Sequence, residues 1–62
     1  MQLTTTERFV ANRIAEGHYT DEIAREMRIS RRGVYFHTGN IHKKLGTRNH
    51  IGIAIAVLQG IK

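Results

Sequence analysis

The 62-residue sequence contains no cysteine, no proline and no tryptophan. Without cysteine, neither a disulfide nor a thiolate metal site can stabilise the chain, which fits a reducing compartment. Without proline, no residue forces a helix to break. No apolar run reaches the roughly 18 residues of a membrane span, and residues 1–20 lack the apolar core of a signal peptide. So short a chain predicts one domain, over residues 1–62, with a marginal hydrophobic core.

Acidic residues are absent after Glu26. All five acids lie in the first 26 residues, which also hold three arginines, whereas seven basic residues stand without an acid from Met27 onward. Mere solubility does not require such segregation, so an anionic partner is expected, either nucleic acid or an acidic membrane surface. The seven basic residues are Arg28, Arg31, Arg32, Lys43, Lys44, Arg48 and Lys62.

The stretch that begins at Ser30 is predicted to form a helix over residues 31–45. Ser30 is a suitable N-cap, and Gly46 suits the left-handed residue that ends many helices. At 100° per residue, one side can pack on a core, through Val34, His37, Thr38, Ile41 and Leu45. The opposite side mixes aromatic, small and basic residues, as expected of a surface that contacts an anion with readable edges. A solvated face with an incidental aromatic cluster is the alternative. This opposite side holds Arg32, Tyr35, Phe36, Gly39, His42 and Lys43.

Two helices are predicted before this stretch. The first, over about residues 5–16, begins at a capping box that starts with Thr4. The second, over residues 20–27, has Thr20 as its predicted cap and is only two turns long. A bridge of about three residues follows, in which Ile29 is expected to turn inward. A short helix, a tight bridge and a longer helix with a polar outer face form a helix-turn-helix pattern.

Residues 51–58 read I-G-I-A-I-A-V-L and are apolar on almost every side. A strand is the competing prediction for so short a run rich in isoleucine, but it would have no partner strand. We therefore predict a fourth helix, over about residues 49–59, with Asn49 as its cap. One side can cover the core and the other would be exposed, which indicates a homodimer. The sequence does not decide which side pairs; the candidate interface residues are Ile51, Ile55, Leu58 and Gln59.

Several short motifs resemble the LuxR-type (GerE-like) helix-turn-helix domain. They are L-T-x-x-E from Leu3, I-A-E-G at 14–17, E-I-A at 22–24, I-S at 29–30, V-x-F-H at 34–37, N-I-x-x-K-L-G at 40–46 and Asn49. Each motif alone is weak, but together they follow the family's order and spacing without a gap to about Ile55. The V-x-F-H motif and the tail from Ala56 to Ile61 most resemble the quorum-sensing receptors of that family.

The resemblance implies an all-α domain of four helices, whose third helix reads the major groove of double-stranded DNA and whose fourth makes a two-fold dimer contact. The family often has lysine where Tyr35 stands, so its base preference does not transfer to this chain. The implied base contacts are Tyr35, Phe36 and Gly39, with Thr38 near them. The implied contacts to the DNA backbone are Thr20, Ser30, Arg31, Arg32, Lys43, Lys44 and Arg48.

These observations predict a sequence-specific transcription regulator of bacterial or phage origin that binds a palindromic DNA site, in the cytoplasm and on the nucleoid. RNA polymerase and a larger LuxR-type protein stay open as further partners. If the chain is complete, it lacks a sensor domain. If it is a fragment, a sensor domain belongs to the part of the protein that is missing. One alternative is a small interaction protein that heterodimerises with and antagonises a larger LuxR-type regulator. Another is a nonspecific binder of polyanions or membrane surfaces. No enzyme activity or catalytic residue is expected, because four short helices offer too little concave surface for an active site. No cofactor is expected, and no metal site either, since four scattered histidines without cysteine form none.

Overall fold

A computed structural model of the protein describes residues 3–60, which form four helices and no strand. The helices are α1 (Thr5–Ala15), α2 (Thr20–Met27), α3 (Arg31–Leu45) and α4 (His50–Leu58). The all-α prediction is confirmed, including the helical choice for residues 51–58. The predicted ranges 5–16 and 49–59 were slightly long because they included the residues that cap those helices. Residues 1, 2, 61 and 62 lie outside the described part, and with them Ile61 of the family resemblance and Lys62 of the charge count.

Side-chain caps begin three of the four helices. Thr4 Oγ1 accepts the Glu7 N–H at 3.1 Å, while Glu7 Oε1 accepts the Thr4 N–H at 2.8 Å, which completes the predicted capping box. Ser30 Oγ and Asn49 Oδ1 each accept the N–H of the residue three positions on. A cap of this kind stabilises a helix by about 1 kcal/mol. Gly46 ends α3 with a φ of 70°, in the left-handed conformation that was predicted.

Two predictions about the helix-turn-helix were wrong. Thr20 is the first residue of α2 and not its cap, because the preceding residue Tyr19 is held by a hydrogen bond from its N–H to Glu22 Oε1 at 2.8 Å. Ile29 does not turn into the core and is 37% exposed. It lies over the first turn of α3 instead, where the missing side chain of Gly33 leaves it room; a Cβ there would be 3.1 Å from Ile29 Cδ1.

The hydrophobic core lies where the four helices meet. Helix α1 packs against α3 and α4, and α2 packs against α3. Burying one such aliphatic side chain contributes about 1.5–3 kcal/mol. The predicted inner side of α3 is buried at Val34, Thr38 and Ile41, whereas α4 buries only Ile53 among its described residues. None of the described helices is long and apolar enough to cross a membrane. The largest fully buried side chains are Val10, Ile23, Val34, Ile41 and Ile53.

A partly buried ion pair joins the start of α1 to the end of α3. Lys44 Nζ donates to Glu7 Oε1 at 2.7 Å, the same oxygen that accepts the Thr4 N–H. The Glu7 side chain is only 7% exposed and the Lys44 side chain 25%. The hydrogen bond from Lys44, followed by the one from the Thr4 backbone, holds the pKa of Glu7 below its ordinary value of 4.5. The carboxylate therefore stays charged at neutral pH and connects two segments that are far apart in sequence.

We predict that Glu7→Gln lowers the free energy of unfolding by about 1–3 kcal/mol at neutral pH, because an amide keeps the shape but loses the charge-assisted hydrogen bonds. Folding lowers the pKa of Glu7, so the unfolded chain binds more protons. This stabilisation is thus complete above about pH 4.5 and is lost as the pH falls through the lower folded pKa. Urea unfolding, followed by circular dichroism over a series of pH values, measures both effects.

The control is Glu16→Gln, which removes the same charge from an exposed acid and should change stability by less than about 0.5 kcal/mol. Equal stability of wild type and Glu7→Gln at neutral pH would contradict the role of the ion pair.

Candidate nucleic-acid interface

The outer side of α3 presents aromatic side chains among cations. Tyr35 is 56% exposed and Phe36 is 66% exposed. The Phe36 ring meets the half-buried His37 ring edge to face, with centroids 5.6 Å apart and planes at 70°. Arg32 and Lys43 on the same side are exposed as well. Two large aromatic side chains held in water on a domain of this size form a surface that a partner can cover. We call this surface the α3 face.

Cations flank the α3 face at both ends. Arg31 and Arg32 stand in the first turn of α3, Lys43 stands in its last turn, and Arg48 lies in the loop before α4; all four are exposed. A helix of this length extends about 22 Å, so positive charge lies on either side of the aromatic pair. Ser30 is exposed at the N-cap of α3, and Thr20 is half-buried at the start of α2.

Two residues of the expected set are turned inward. Thr38 is 5% exposed, and its hydroxyl donates to the Val34 carbonyl at 2.9 Å. The Lys44 ammonium is the partner of Glu7. Both polar groups already have a protein partner, so the structure does not bring these two side chains to the α3 face.

His42 fixes the loop that leads from α3 to α4. Its Nδ1 is 2.7 Å from Thr47 Oγ1, and its ring stacks on that of His50 with centroids 6.4 Å apart. Burial, and then the neighbouring His50, hold the pKa of His42 below its ordinary value of 6.5. His42 is therefore neutral at pH 7 and adds no charge to the cations beside it. Thr47 packs closely on α4 because Gly52 has no Cβ, which would lie 3.1 Å from Thr47 Cβ.

One acid lies beside the α3 face, and the sequence analysis did not single it out. Asp21 Oδ1 is 3.1 Å from Arg31 Nε, and both side chains are more than half exposed. The charge pattern alone could have drawn attention to Asp21 as a carboxylate next to the implied backbone contact Thr20. Its pairing with a residue of the next helix depends on the tertiary fold.

Two further acids, Glu16 and Glu26, form ion pairs away from α3. Arg13 donates to Glu16, the C-cap of its own helix, at 2.9 Å. It also donates to Glu26 at 3.1 Å, and this bond connects α1 to α2. His18 lies between the same two carboxylates, 3.7 Å and 3.4 Å away. Within residues 3–60, no three histidine or acidic side chains are grouped so that they could hold a metal ion.

Comparison with known sequences identifies the domain. The profile of the family described as "Bacterial regulatory proteins, luxR family" matches residues 1–57. The chain belongs to this family. Its four helices are those of the family's helix-turn-helix domain, a DNA-binding domain of transcription regulators.

Two curated relatives cover nearly all of the chain. It is 38% identical over 58 residues to the transcriptional regulatory protein UhpA of Escherichia coli (strain K12), and equally similar to UhpA of Salmonella typhimurium (strain LT2). Each alignment covers 94% of this chain but only 30% of the relative's length. No solved structure matches the chain. Neither relative's name refers to quorum sensing, so the similarity to quorum-sensing receptors stays a prediction.

Gly39, in the middle of the α3 face, is a position where a substitution is expected to raise stability. A Cβ at Gly39 would meet no atom within 4 Å, whereas a Cβ at Gly33 would lie 3.1 Å from Ile29 Cδ1. Alanine restricts the unfolded chain more than glycine does, so we expect Gly39→Ala to raise the free energy of unfolding by about 0.5–1 kcal/mol. Gly33→Ala is the matched comparison and should gain less, because Ile29 has to shift. Urea unfolding at one protein concentration measures both; no gain for Gly39→Ala would contradict the open space seen at this position.

Proposed function

We propose that this domain binds double-stranded DNA sequence-specifically, as a homodimer on a palindromic site, and that it regulates transcription there. The observation that carries the proposal is the α3 face, where exposed aromatic side chains lie between two groups of cations. A helix of this kind fits the major groove of B-DNA, which is wide enough to admit it. The proposed location is the nucleoid in the bacterial cytoplasm, because the proposed target is DNA.

Phosphate contacts are proposed for the exposed polar and basic groups around the α3 face. Arginine and lysine at the two ends of a recognition helix can each neutralise a phosphate, which positions the helix without reading sequence. Lys44 is left out because Glu7 already occupies its ammonium. The proposed backbone contacts are Thr20, Ser30, Arg31, Arg32, Lys43 and Arg48.

Base contacts are proposed for Tyr35 and Phe36. The phenylalanine ring can contact a thymine methyl group in the major groove, and the tyrosine hydroxyl can hydrogen-bond to a base edge or a phosphate. Gly39 offers no side chain, so its proposed part is to let a base edge approach the helix closely. Thr38 is left out because its hydroxyl is bonded to the backbone inside the domain.

The dimer is proposed to form through α4. Among its apolar residues, Ile51 is 70% exposed, Ile55 is 50% exposed and Leu58 is 83% exposed. Gln59, at the end of the helix, is exposed as well. A second copy related by two-fold symmetry would cover these side chains and would place two copies of α3 on half-sites about one turn of DNA apart. RNA polymerase is a further proposed partner once the dimer is on DNA.

The same exposed side of α4 favours a second candidate function. A small protein that pairs through α4 with a larger LuxR-type regulator would prevent that regulator from forming its own dimer. Gly33 and Gly39 weaken α3 as a helix, which is compatible with this role. Binding of DNA by the isolated chain separates the two functions.

Selection of bound duplexes from a random library at near-physiological salt tests the proposed function. We expect enrichment of a palindrome with half-sites about one turn apart. Phe36→Ala should change the selected sequence more than it changes affinity for unrelated DNA, because this residue is proposed to touch bases. Arg32→Ala, at an exposed cation of the same face, is the control and should weaken all duplexes alike. A selected sequence that is the same for wild type and Phe36→Ala would refute the base contact.

Loss of the dimer is the expected result of Leu58→Asp. This residue makes little contact within the domain, so the fold should persist while the charge disrupts an apolar interface. Sedimentation should show the dimer dissociation constant raised at least about tenfold, which corresponds to about 1.4 kcal/mol. Asn12→Asp, at an exposed position on α1, adds the same charge and should leave the dimer intact. A wild-type chain that stays monomeric both free and on a palindromic duplex would exclude the dimer.

A further inference from the structure

The ion pair between Asp21 and Arg31 lies among the proposed phosphate contacts. Asp21 is in the first turn of α2, next to Thr20, and Arg31 is the first residue of α3. Their charged groups are 3.1 Å apart, and the side chains are 60% and 67% exposed. An exposed ion pair of this kind is weak and is readily exchanged for another partner. Arg31 therefore has two possible anions within reach of the same surface, the Asp21 carboxylate and a DNA phosphate.

The carboxylate changes what Arg31 contributes to DNA binding. While the Arg31 guanidinium stays on the Asp21 carboxylate, it does not neutralise a DNA phosphate. The phosphate is then not fully neutralised, so fewer counterions leave the DNA. Arg32 differs in this respect, because it forms no ion pair within residues 3–60.

We infer that Asp21 competes with DNA phosphate for Arg31 and thereby lowers the affinity of the domain for DNA of any sequence. The inference rests on the proposed DNA-binding function and assigns a specificity role to a residue that contacts no base. Phosphate contacts act on all duplexes alike, whereas base contacts act only on the target. With Arg31 restrained, base contacts supply a larger share of the total binding free energy.

The first test is Asp21→Asn, which removes the charge and keeps the size of the side chain. Binding to a duplex of unrelated sequence is measured by fluorescence anisotropy over a range of salt concentrations. We expect affinity to rise about five- to tenfold at about 0.1 M salt, and the log–log salt slope to steepen by about 0.9 per bound protomer.

The control for net charge is Glu16→Gln, whose carboxylate pairs with Arg13 and His18 instead of a cation of α3. Its slope should equal that of the wild type. Equal steepening in both variants would mean that overall charge is the cause, and would overturn the inference. Circular dichroism confirms that each variant is folded.

A double-mutant cycle tests whether Asp21 acts through Arg31. Arg31→Gln should flatten the slope by clearly less than about 0.9 in the wild-type background, because Asp21 holds Arg31 there, but should remove the whole gain in the Asp21→Asn background. Arg32→Gln should flatten the slope by about 0.9 in both backgrounds. If Arg31→Gln flattens the wild-type slope as much as Arg32→Gln does, Asp21 does not restrain Arg31.

The outcomes also separate this inference from the proposed function. If neither wild type nor Asp21→Asn binds any duplex at low salt, the DNA-binding function itself fails, and the inference fails with it. If the wild type binds and Asp21→Asn has the same affinity and slope, only the inference is overturned.

Discussion

The partly buried contact between Lys44 and Glu7 is the constraint on which the geometry of the domain depends. Glu7 belongs to the cap that starts α1, and Lys44 belongs to the last turn of α3. One carboxylate oxygen therefore fixes the start of one helix and the end of another at the same point. In a domain whose core is made of a few aliphatic side chains, such a contact limits how far α3 can rotate or slide on α1. The orientation of the outer side of α3 is set by this contact together with the burial of Val34 and Ile41.

The ion pairs show how the uneven distribution of charge along the chain is used in the fold. The acids of the first part pair mainly among α1 and α2, where Arg13 bridges two of them. Glu7 neutralises Lys44, and Asp21 meets Arg31. Among the described residues, the cations around the α3 face that form no such pair are Arg32, Lys43 and Arg48. Fewer positive charges are therefore available to an anionic partner than the sequence count suggests. The three available cations lie near the two ends of α3.

Sequence reasoning succeeded where structure is decided within a few residues. The caps at Thr4, Ser30 and Asn49 each depend on a side chain that reaches the third residue of the same helix, so their chemistry can be read from the chain. The buried and exposed sides of α3 follow from the helical period for the same reason. The Lys44–Glu7 contact joins residues 37 positions apart, and no local sequence pattern predicts it. The sequence therefore predicts a phosphate contact for Lys44, as for any lysine near the end of a recognition helix whose partner is not known.

The errors at the helix-turn-helix have a similar cause. A threonine before two acids is a reasonable cap, but here Glu22 holds the backbone of Tyr19 and moves the helix start by one residue. Ile29 was expected to turn inward because it is apolar, yet the space that accommodates it is created by Gly33 on the surface of α3. Arg28 also adopts a left-handed φ of 57° in this bridge, a conformation that costs a non-glycine residue about 1–2 kcal/mol. Such a cost is tolerated only because both flanking helices are held by their own burial. The bridge thus depends on the packed domain, and its residues could not be placed from their sequence alone.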